Sequence, residues 1–111
     1  MMRAAEVFYH HKLAGLLTET DEGHFIFQYD ELYVKDYPNQ FVTFTMPVSK
    51  NSYHDKHLFP FFEGLIPEGW LLDVAKNHYK INSNDRMGLL LACCQNCIGA
   101  VSVKPLSNAN E

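Results

Sequence analysis

The hydrophobic pattern of the chain changes its period near Pro60, and this change constrains the fold more than any other feature. Before Pro60, apolar residues alternate with a period of two, which is typical of half-buried strands. After Pro60 they recur at intervals of three and four, the spacing of a helix that buries one face. A chain of 111 residues with this pattern and 47% hydrophobic residues is expected to form one α+β domain.

Strand character is found in five segments, at residues 6–10, 13–19, 24–29, 40–46 and 99–104. Phe25, Phe27 and Tyr29 share one face of the third segment by alternation. Gly23, in the preceding turn, can take a positive φ. The last segment ends at Pro105. Because the connections between the first segments are short, we expect an antiparallel meander.

Three helices are predicted for the second half. Pro60 lacks an N–H and fits only a first helical turn, which predicts a helix from near His57 to Gly64. Pro67 suits the start of a second helix, and Asn82 or Ser83 can cap a third. The buried stripes expected for these last two helices are Leu71, Val74, Ala75 and His78, and Met87, Leu90, Leu91 and Cys94.

The predicted architecture is therefore an antiparallel, barrel-like sheet of about five strands with about three helices packed on one side. We expect the domain to occupy residues 1–106. The polar residues 107–111 are expected to form a frayed tail.

Charge and composition narrow the class of partner. The formal net charge is −4 at pH 7, and the nine Lys and Arg residues are scattered, so no basic patch is available for a phosphate backbone. No segment is apolar over the length of a signal peptide core or a membrane span. The three cysteines, at positions 93, 94 and 97, do not resemble the framework of a secreted disulfide protein. We expect a cytoplasmic protein that binds neither nucleic acid nor membrane directly.

The pair Cys94-x-x-Cys97 is the first candidate for chemistry. A redox pair is favoured at a helix N-terminus, where the thiol pKa is lowered, whereas this pair falls at a predicted helix C-terminus. A structural zinc site needs four ligands, so Cys93 or a distant histidine would have to complete it. The other interpretation is that these residues are small buried hydrophobic groups.

The remaining candidate groups are two pairs of histidines and three acids that lie close to one another in the sequence. The histidines are His10, His11, His54 and His57, and the acids are Glu63, Glu68 and Asp73. The histidine spacing lacks the glutamate of a metalloprotease helix, which favours solvent-exposed histidines. The acids form either paired carboxylates or a solvated helix face. No phosphate-binding loop or nucleophile motif occurs, so we expect no catalytic residue, metal ion or cofactor.

Trp70 is the most informative single residue. At 100° per residue it lies roughly 100° from the predicted stripe that begins at Leu71, and it shares a face with Asp73 and Asn77. Trp70 is either a core-edge residue that packs on the sheet or an exposed anchor of the kind enriched in interface hot spots. The apolar connection before it contains Pro67, which restricts the backbone.

The run of residues 59–70, FPFFEGLIPEGW, resembles the PFF-x-G/N-LLPEG signature of HipA-family N-terminal domains. Flanking segments are similar to other parts of that domain, at residues 7–17, 27–29, 44–48, 85–91 and 99–105. The similarity covers nearly the whole chain. It departs at Cys94 and Asn96, where many relatives carry Gly and Asp. The catalytic and metal-binding acids of a HipA kinase lie beyond this domain, so the resemblance implies a stand-alone domain without kinase activity.

The resemblance implies the HipS position in a toxin–antitoxin system of the HipB/HipS/HipT type. The implied partners are a HipT-like serine/threonine kinase, which the chain would restrain, and a HipB-like DNA-binding protein, bound directly or in a ternary complex. The implied partner-binding residues are Leu65, Ile66, Pro67, Glu68, Gly69, Trp70 and Asp73. Two alternatives stay open, a non-inhibitory scaffold between the two partners and a small thiol-redox or metal protein that uses Cys94 and Cys97.

Overall fold

The structure, a computed structural model, describes residues 3–66, 73, 77–78, 80–82, 84–94 and 100–106. One antiparallel sheet is formed by β1 (Arg3–Tyr9), β2 (Lys12–Glu19), β3 (Phe25–Tyr29), β4 (Tyr53–Asp55) and β5 (Val101–Pro105). Its strand order is β4-β3-β2-β1-β5, so the sheet is open and β4 and β5 lie at its two edges. Three helices have bounds within these residues: α1 (Glu31–Asp36), α2 (Pro60–Glu63) and α3 (Arg86–Cys93). The predicted α+β class is confirmed.

One face of the sheet is buried. This inner face carries side chains that are at most 7% exposed, namely Ala5, Val7, Ala14, Leu17, Phe25, Phe27, Tyr29, Val101 and Val103. The helices cover it. The ring of Phe62 in α2 lies 5.7 Å from that of Phe27, and α3 adds Met87, Leu89 and Leu90, all fully buried, to the same core. The predicted placement of the helices on one side of the sheet is therefore confirmed.

A β-bulge in β2 changes which side chains face the core. Val7 pairs with Gly15, but the next residue, Phe8, pairs with Leu13. Ala14 is thus the extra residue of a two-against-one arrangement. Ala14 and Gly15 are both buried, while Leu13 points to the other face and is 37% exposed.

The prediction of a strand at residues 40–46 is wrong. This segment is a loop, and an isolated bridge pairs Thr43 with Met46. A strand would have placed Val42, Phe44 and Met46 on one buried face. Val42 and Met46 are indeed buried, whereas Phe44 is 77% exposed. The fourth strand in chain order is instead the three-residue β4.

Tyrosine hydroxyls supply the hydrogen bonds that a neighbouring strand would have supplied to this loop. The Tyr29 hydroxyl donates to the carbonyl of Met46 and accepts the N–H of Val42 at 3.1 Å. Tyr33 donates to the carbonyl of Gln40. The backbone of the loop is thereby paired without belonging to a sheet, as buried polar groups require.

The short helix α1 was not predicted. Its N-cap, Asp30, accepts the N–H of Leu32 at 3.2 Å, and Tyr33 is its buried residue, stacked on Tyr29 with the ring centroids 5.9 Å apart. A helix of six residues that buries one side chain has no periodic hydrophobic pattern to detect.

The N-cap of α3 is Asp85, and the prediction of Asn82 or Ser83 is wrong. The Asp85 carboxylate accepts the N–H of Gly88 at 3.0 Å. It also accepts from both terminal nitrogens of Arg3, at 2.6 and 3.1 Å, while Arg3 Nε donates to Glu19 at 2.7 Å. Arg3 thus ties the start of α3 to β1 and β2, and only the folded chain brings these groups together.

We expect Asp85→Asn to lower the free energy of unfolding by about 0.5–1 kcal/mol at neutral pH, since the pair is partly exposed. Asparagine caps a helix about as well as aspartate, so this change isolates the ion pair. The hydrogen bond from Arg3 holds the pKa of the Asp85 carboxyl below its ordinary value. The stability that the ion pair of Asp85 with Arg3 contributes is therefore complete above about pH 4, and it is lost as the pH falls below that value.

Urea unfolding of Asp85→Asn and of the unsubstituted chain, between neutral pH and pH 2, measures the difference in their stabilities. The stabilities of Asp85→Asn and the unsubstituted chain are expected to converge in acid. Asp85→Ala serves as the companion variant and should lose about 1 kcal/mol more, because it also removes the cap. An equal gap between Asp85→Asn and the unsubstituted chain at every pH would contradict the assignment.

Candidate functional site

The candidate partner-binding segment begins where α2 ends. Gly64 is the C-cap of α2, as predicted, with helical φ and ψ of −66° and −15°. The next two N–H groups, of Leu65 and Ile66, donate at 3.1 Å to the carbonyls of Phe62 and Glu63. The chain thus leaves α2 through two tight turns of the 3₁₀ type.

Ile66 and Leu65 are held by packing and by a thiol. Ile66 is 3% exposed and belongs to the hydrophobic core. Leu65 is partly buried, and its carbonyl accepts a hydrogen bond from the Cys94 thiol at 3.2 Å. Of the other predicted site residues, Asp73 is exposed and helical, whereas residues 67–70 lie outside the described part of the chain.

An ion pair fixes α2 against α3. Arg86 donates through Nε and a terminal nitrogen to the Glu63 carboxylate, at distances of 2.8–3.1 Å. Paired charges in this fork geometry constrain orientation as well as distance. Glu63 therefore serves to position the end of α2, which is a structural role for one of the three candidate acids.

Cys94 occupies the junction of three elements. Its side chain is fully buried, its N–H closes α3 by donating to Leu90, and its carbonyl accepts the N–H of Val103 in β5 at 2.9 Å. A thiol so enclosed acts as a small buried group with a weak S–H donor, which agrees with the interpretation of a structural, buried cysteine. Cys97 lies outside the described residues.

The histidine pairs do not form a cluster of ligands. His54 and His57 are exposed, and His54 Nε2 lies 2.8 Å from the Ser52 hydroxyl. His10 and His11 form the turn between β1 and β2, with positive φ values of 49° and 70°. Across the residues that the structure describes, no three His, Cys, Asp or Glu side chains are grouped closely enough to hold a metal ion.

The sequence patterns missed two surface features. Phe41 and Phe44, which are 42% and 77% exposed, lie in the loop predicted as a strand. Leu13 and Leu16 lie on the sheet face opposite the helices, each more than a third exposed. Regular alternation would have placed them on opposite faces, and only the bulge at Ala14 brings them to the same one.

The fold of the described residues defines a class, a small α+β domain with its helices on one side of an open sheet. Within the described part of the chain, no helix is long and apolar enough to cross a bilayer. The chain belongs to the family of HipA N-terminal domains, whose model matches residues 5–104. The resemblance read from residues 59–70 is thereby confirmed at the level of the family.

Two relatives support this membership over almost the full length of the chain. An uncharacterized protein of Haemophilus influenzae is 33% identical over 104 residues, which are 94% of this chain and 93% of that protein. A solved structure of the N-terminal domain of HipA toxin is 30% identical and has a TM-score of 0.71, covering 96% of this chain and 94% of that one. Family membership relates the chain to toxin–antitoxin systems.

Proposed function

We propose that this chain acts in the manner of HipS, as an antitoxin-like subunit that docks on a HipT-like serine/threonine kinase and restrains it. The observation that carries the proposal is the family signature at the end of α2, within a chain whose family match extends over residues 5–104. The docking segment comprises Leu65, Ile66, Pro67, Glu68, Gly69, Trp70 and Asp73.

The described start of this segment supports a docking role. Ile66 is buried, the Leu65 carbonyl is held by Cys94, and α2 is clamped to α3 by the pair of Glu63 and Arg86. A segment anchored in this way loses less conformational entropy on binding than a free one. In the proposed complex, Trp70 enters the kinase near its active site, and restraint requires only that the chain bind the inactive state more tightly.

The chain itself contributes no catalytic group and no cofactor to this function. Its second partner is a HipB-like DNA-binding protein, reached directly or through the kinase. Phosphoryl transfer belongs to the kinase, and the proposed role of this chain is to limit access to that site. The full burial of Cys94 argues against the thiol-redox alternative, because a reactive thiol must be accessible.

Replacement of Trp70 by alanine tests the proposal. Truncation of a hot-spot tryptophan weakens binding by about 2–4 kcal/mol, which corresponds to a loss of affinity of roughly 30-fold to 1000-fold. We therefore expect Trp70→Ala to fail to neutralise the kinase in a co-expression toxicity assay. Its affinity, measured by calorimetry with the purified kinase, should fall by the same factor.

Phe44→Ala is the matched control, since Phe44 is an exposed aromatic residue outside the segment. It should retain both binding and neutralisation. Neutralisation and affinity unchanged in Trp70→Ala would remove Trp70 from the mechanism. Binding without any effect on kinase activity, measured in the absence of the DNA-binding protein, would favour the scaffold alternative. Failure to associate at micromolar concentrations would overturn the proposal.

A further inference from the structure

The sheet face opposite the helices is only partly polar. We call it the outer face, and its apolar side chains are Phe8, Leu13, Leu16 and Ile26, which alternate with or flank buried residues of β1, β2 and β3. Leu13 and Leu16 are 37% and 38% exposed. An antiparallel sheet that merely faces water carries polar side chains on that side. Clustered exposed leucines on such a face mark an interaction surface.

Strand register makes these residues neighbours. Leu16 lies between Glu6 of β1 and Gln28 of β3, and Thr18 pairs with Ile26 in the next row. Together with Leu13 they line a shallow groove of about 360 Å³. The groove is continuous across three strands, which is wide enough to seat the side chains of one helix.

The groove has an acidic rim. Three carboxylates, from Glu6, Asp30 and Glu31, are among its lining residues, and none of the described lining residues is Lys or Arg. Lys104 lies across from Glu6 in β5, with its amine 5.3 Å from the centre of the Phe8 ring. An adjoining depression beyond Gln28 contains two lysines together with Glu31. The charged residues described in the groove are therefore all acidic, and the lysines lie in β5 and in the adjoining depression.

We propose that the outer face binds a cationic amphipathic helix of a partner protein. Its apolar ridge covers Leu13, Leu16 and Ile26, and its lysines or arginines pair with Glu6 and the carboxylates at the start of α1. Charge favours such a helix over two other occupants, a second copy of this chain and an anionic membrane. In a two-fold dimer the acidic rim of one copy would meet that of the other, which disfavours a second copy. The same acids and the net charge of −4 repel an anionic membrane.

This surface lies on the side of the sheet away from α2, whose Phe62 packs on Phe27 of the inner face. The inference does not depend on the proposed restraint of a kinase, since it follows from residues of β1, β2, β3 and α1 alone.

The probe is a synthetic helical peptide with a leucine ridge and lysines on its flanks, titrated into the isotopically labelled protein and followed by NMR. We expect amide shifts at Leu13, Leu16 and Ile26, and no comparable shifts in α2 or α3. Affinity should fall about tenfold or more when salt is raised from about 50 to about 500 mM, because surface charge pairs are screened. A peptide with glutamates in place of the lysines should bind at least tenfold more weakly.

Two variants and two controls test the residues. Leu16→Ser and Glu31→Lys should each weaken binding of the lysine peptide about fivefold or more. Leu32→Ser and Glu22→Lys are their controls, because both residues are exposed and neither lines the groove. Both controls should leave the affinity unchanged.

Four results would overturn the inference. Two concern the peptides: equal binding of the lysine and glutamate peptides, or amide shifts confined to the helices. The other two point to a different occupant: dimerisation in sedimentation experiments that Leu16→Ser abolishes, or preferential binding of the protein to vesicles of phosphatidylcholine and phosphatidylglycerol. The comparison of the two peptides uses the unsubstituted chain, so it decides the question even where a variant is unstable.

Discussion

Replacement of Gly15 by alanine is expected to lower the free energy of unfolding by about 3 kcal/mol or more, the upper end of the range for overpacked cores. A Cβ at this position would lie 2.4 Å from the carbonyl oxygen of Gln28, 2.9 Å from Cζ of Phe27 and 3.0 Å from Cα of Tyr29. Two of these atoms belong to the backbone of β3, which pairs directly with β2. The methyl group fits only if the two strands separate at the centre of the sheet.

Urea unfolding followed by circular dichroism measures this loss. Gly64→Ala is the matched control, because a Cβ there meets its nearest atoms at 3.5 Å and the backbone is already helical. That variant should lie within about 0.5 kcal/mol of the unsubstituted chain or be slightly more stable. Equal stabilities of the two alanine variants would contradict the close approach of β2 and β3 at Gly15.

Removal of the Tyr29 hydroxyl is expected to produce the second large effect. Tyr29→Phe leaves the N–H of Val42 and the carbonyl of Met46 without the partner they share, in a segment where both residues are less than 10% exposed. A buried polar group without a partner costs about 1–3 kcal/mol. We expect a total loss of about 2–3 kcal/mol, together with faster hydrogen exchange at Val42.

Alkaline pH gives an independent measure of the same contact. Burial raises the pKa of Tyr29 to about 12, partly offset by the hydrogen bond from Val42. The contribution of this hydroxyl is complete below about pH 10, the ordinary value for tyrosine, and is lost as the pH rises toward 12. The unsubstituted chain should therefore lose more stability than Tyr29→Phe over this interval.

Tyr53→Phe is the control for both measurements. Its hydroxyl also donates to a loop carbonyl, that of Pro47 at 2.6 Å, but the bond is exposed and water can replace it. We expect a loss of about 0.5–1 kcal/mol. A loss in Tyr53→Phe that equals the loss in Tyr29→Phe would show that burial of the loop contacts is not what makes them important.

Local sequence predicted several features around the start of the proposed docking segment, whose residues 67–70 lie outside the described part of the chain. Gly64 is the C-cap of α2 as predicted, whereas the helix begins at Pro60 and not near His57. The C-terminal position of Cys94 on α3 argued correctly for a buried, structural thiol. The signature at residues 59–70 identified the family. The anchoring of Leu65 by Cys94 was not predictable, since the two residues lie 29 positions apart.

The sequence by itself determined the α+β class, the limits of four of the five strands to within three residues, and the end of α2 at Gly64. These features follow from the backbone preferences of single residues and from hydrophobic period. Tertiary structure decided the loop at residues 40–46, the ion pair of Arg3 with Asp85 and the bulge at Ala14. In each of these, a backbone group or a charge is satisfied by a partner far along the chain, such as Tyr29 for Met46 or Arg3 for Asp85. A local pattern carries no information about such a partner, so only the folded chain could supply it.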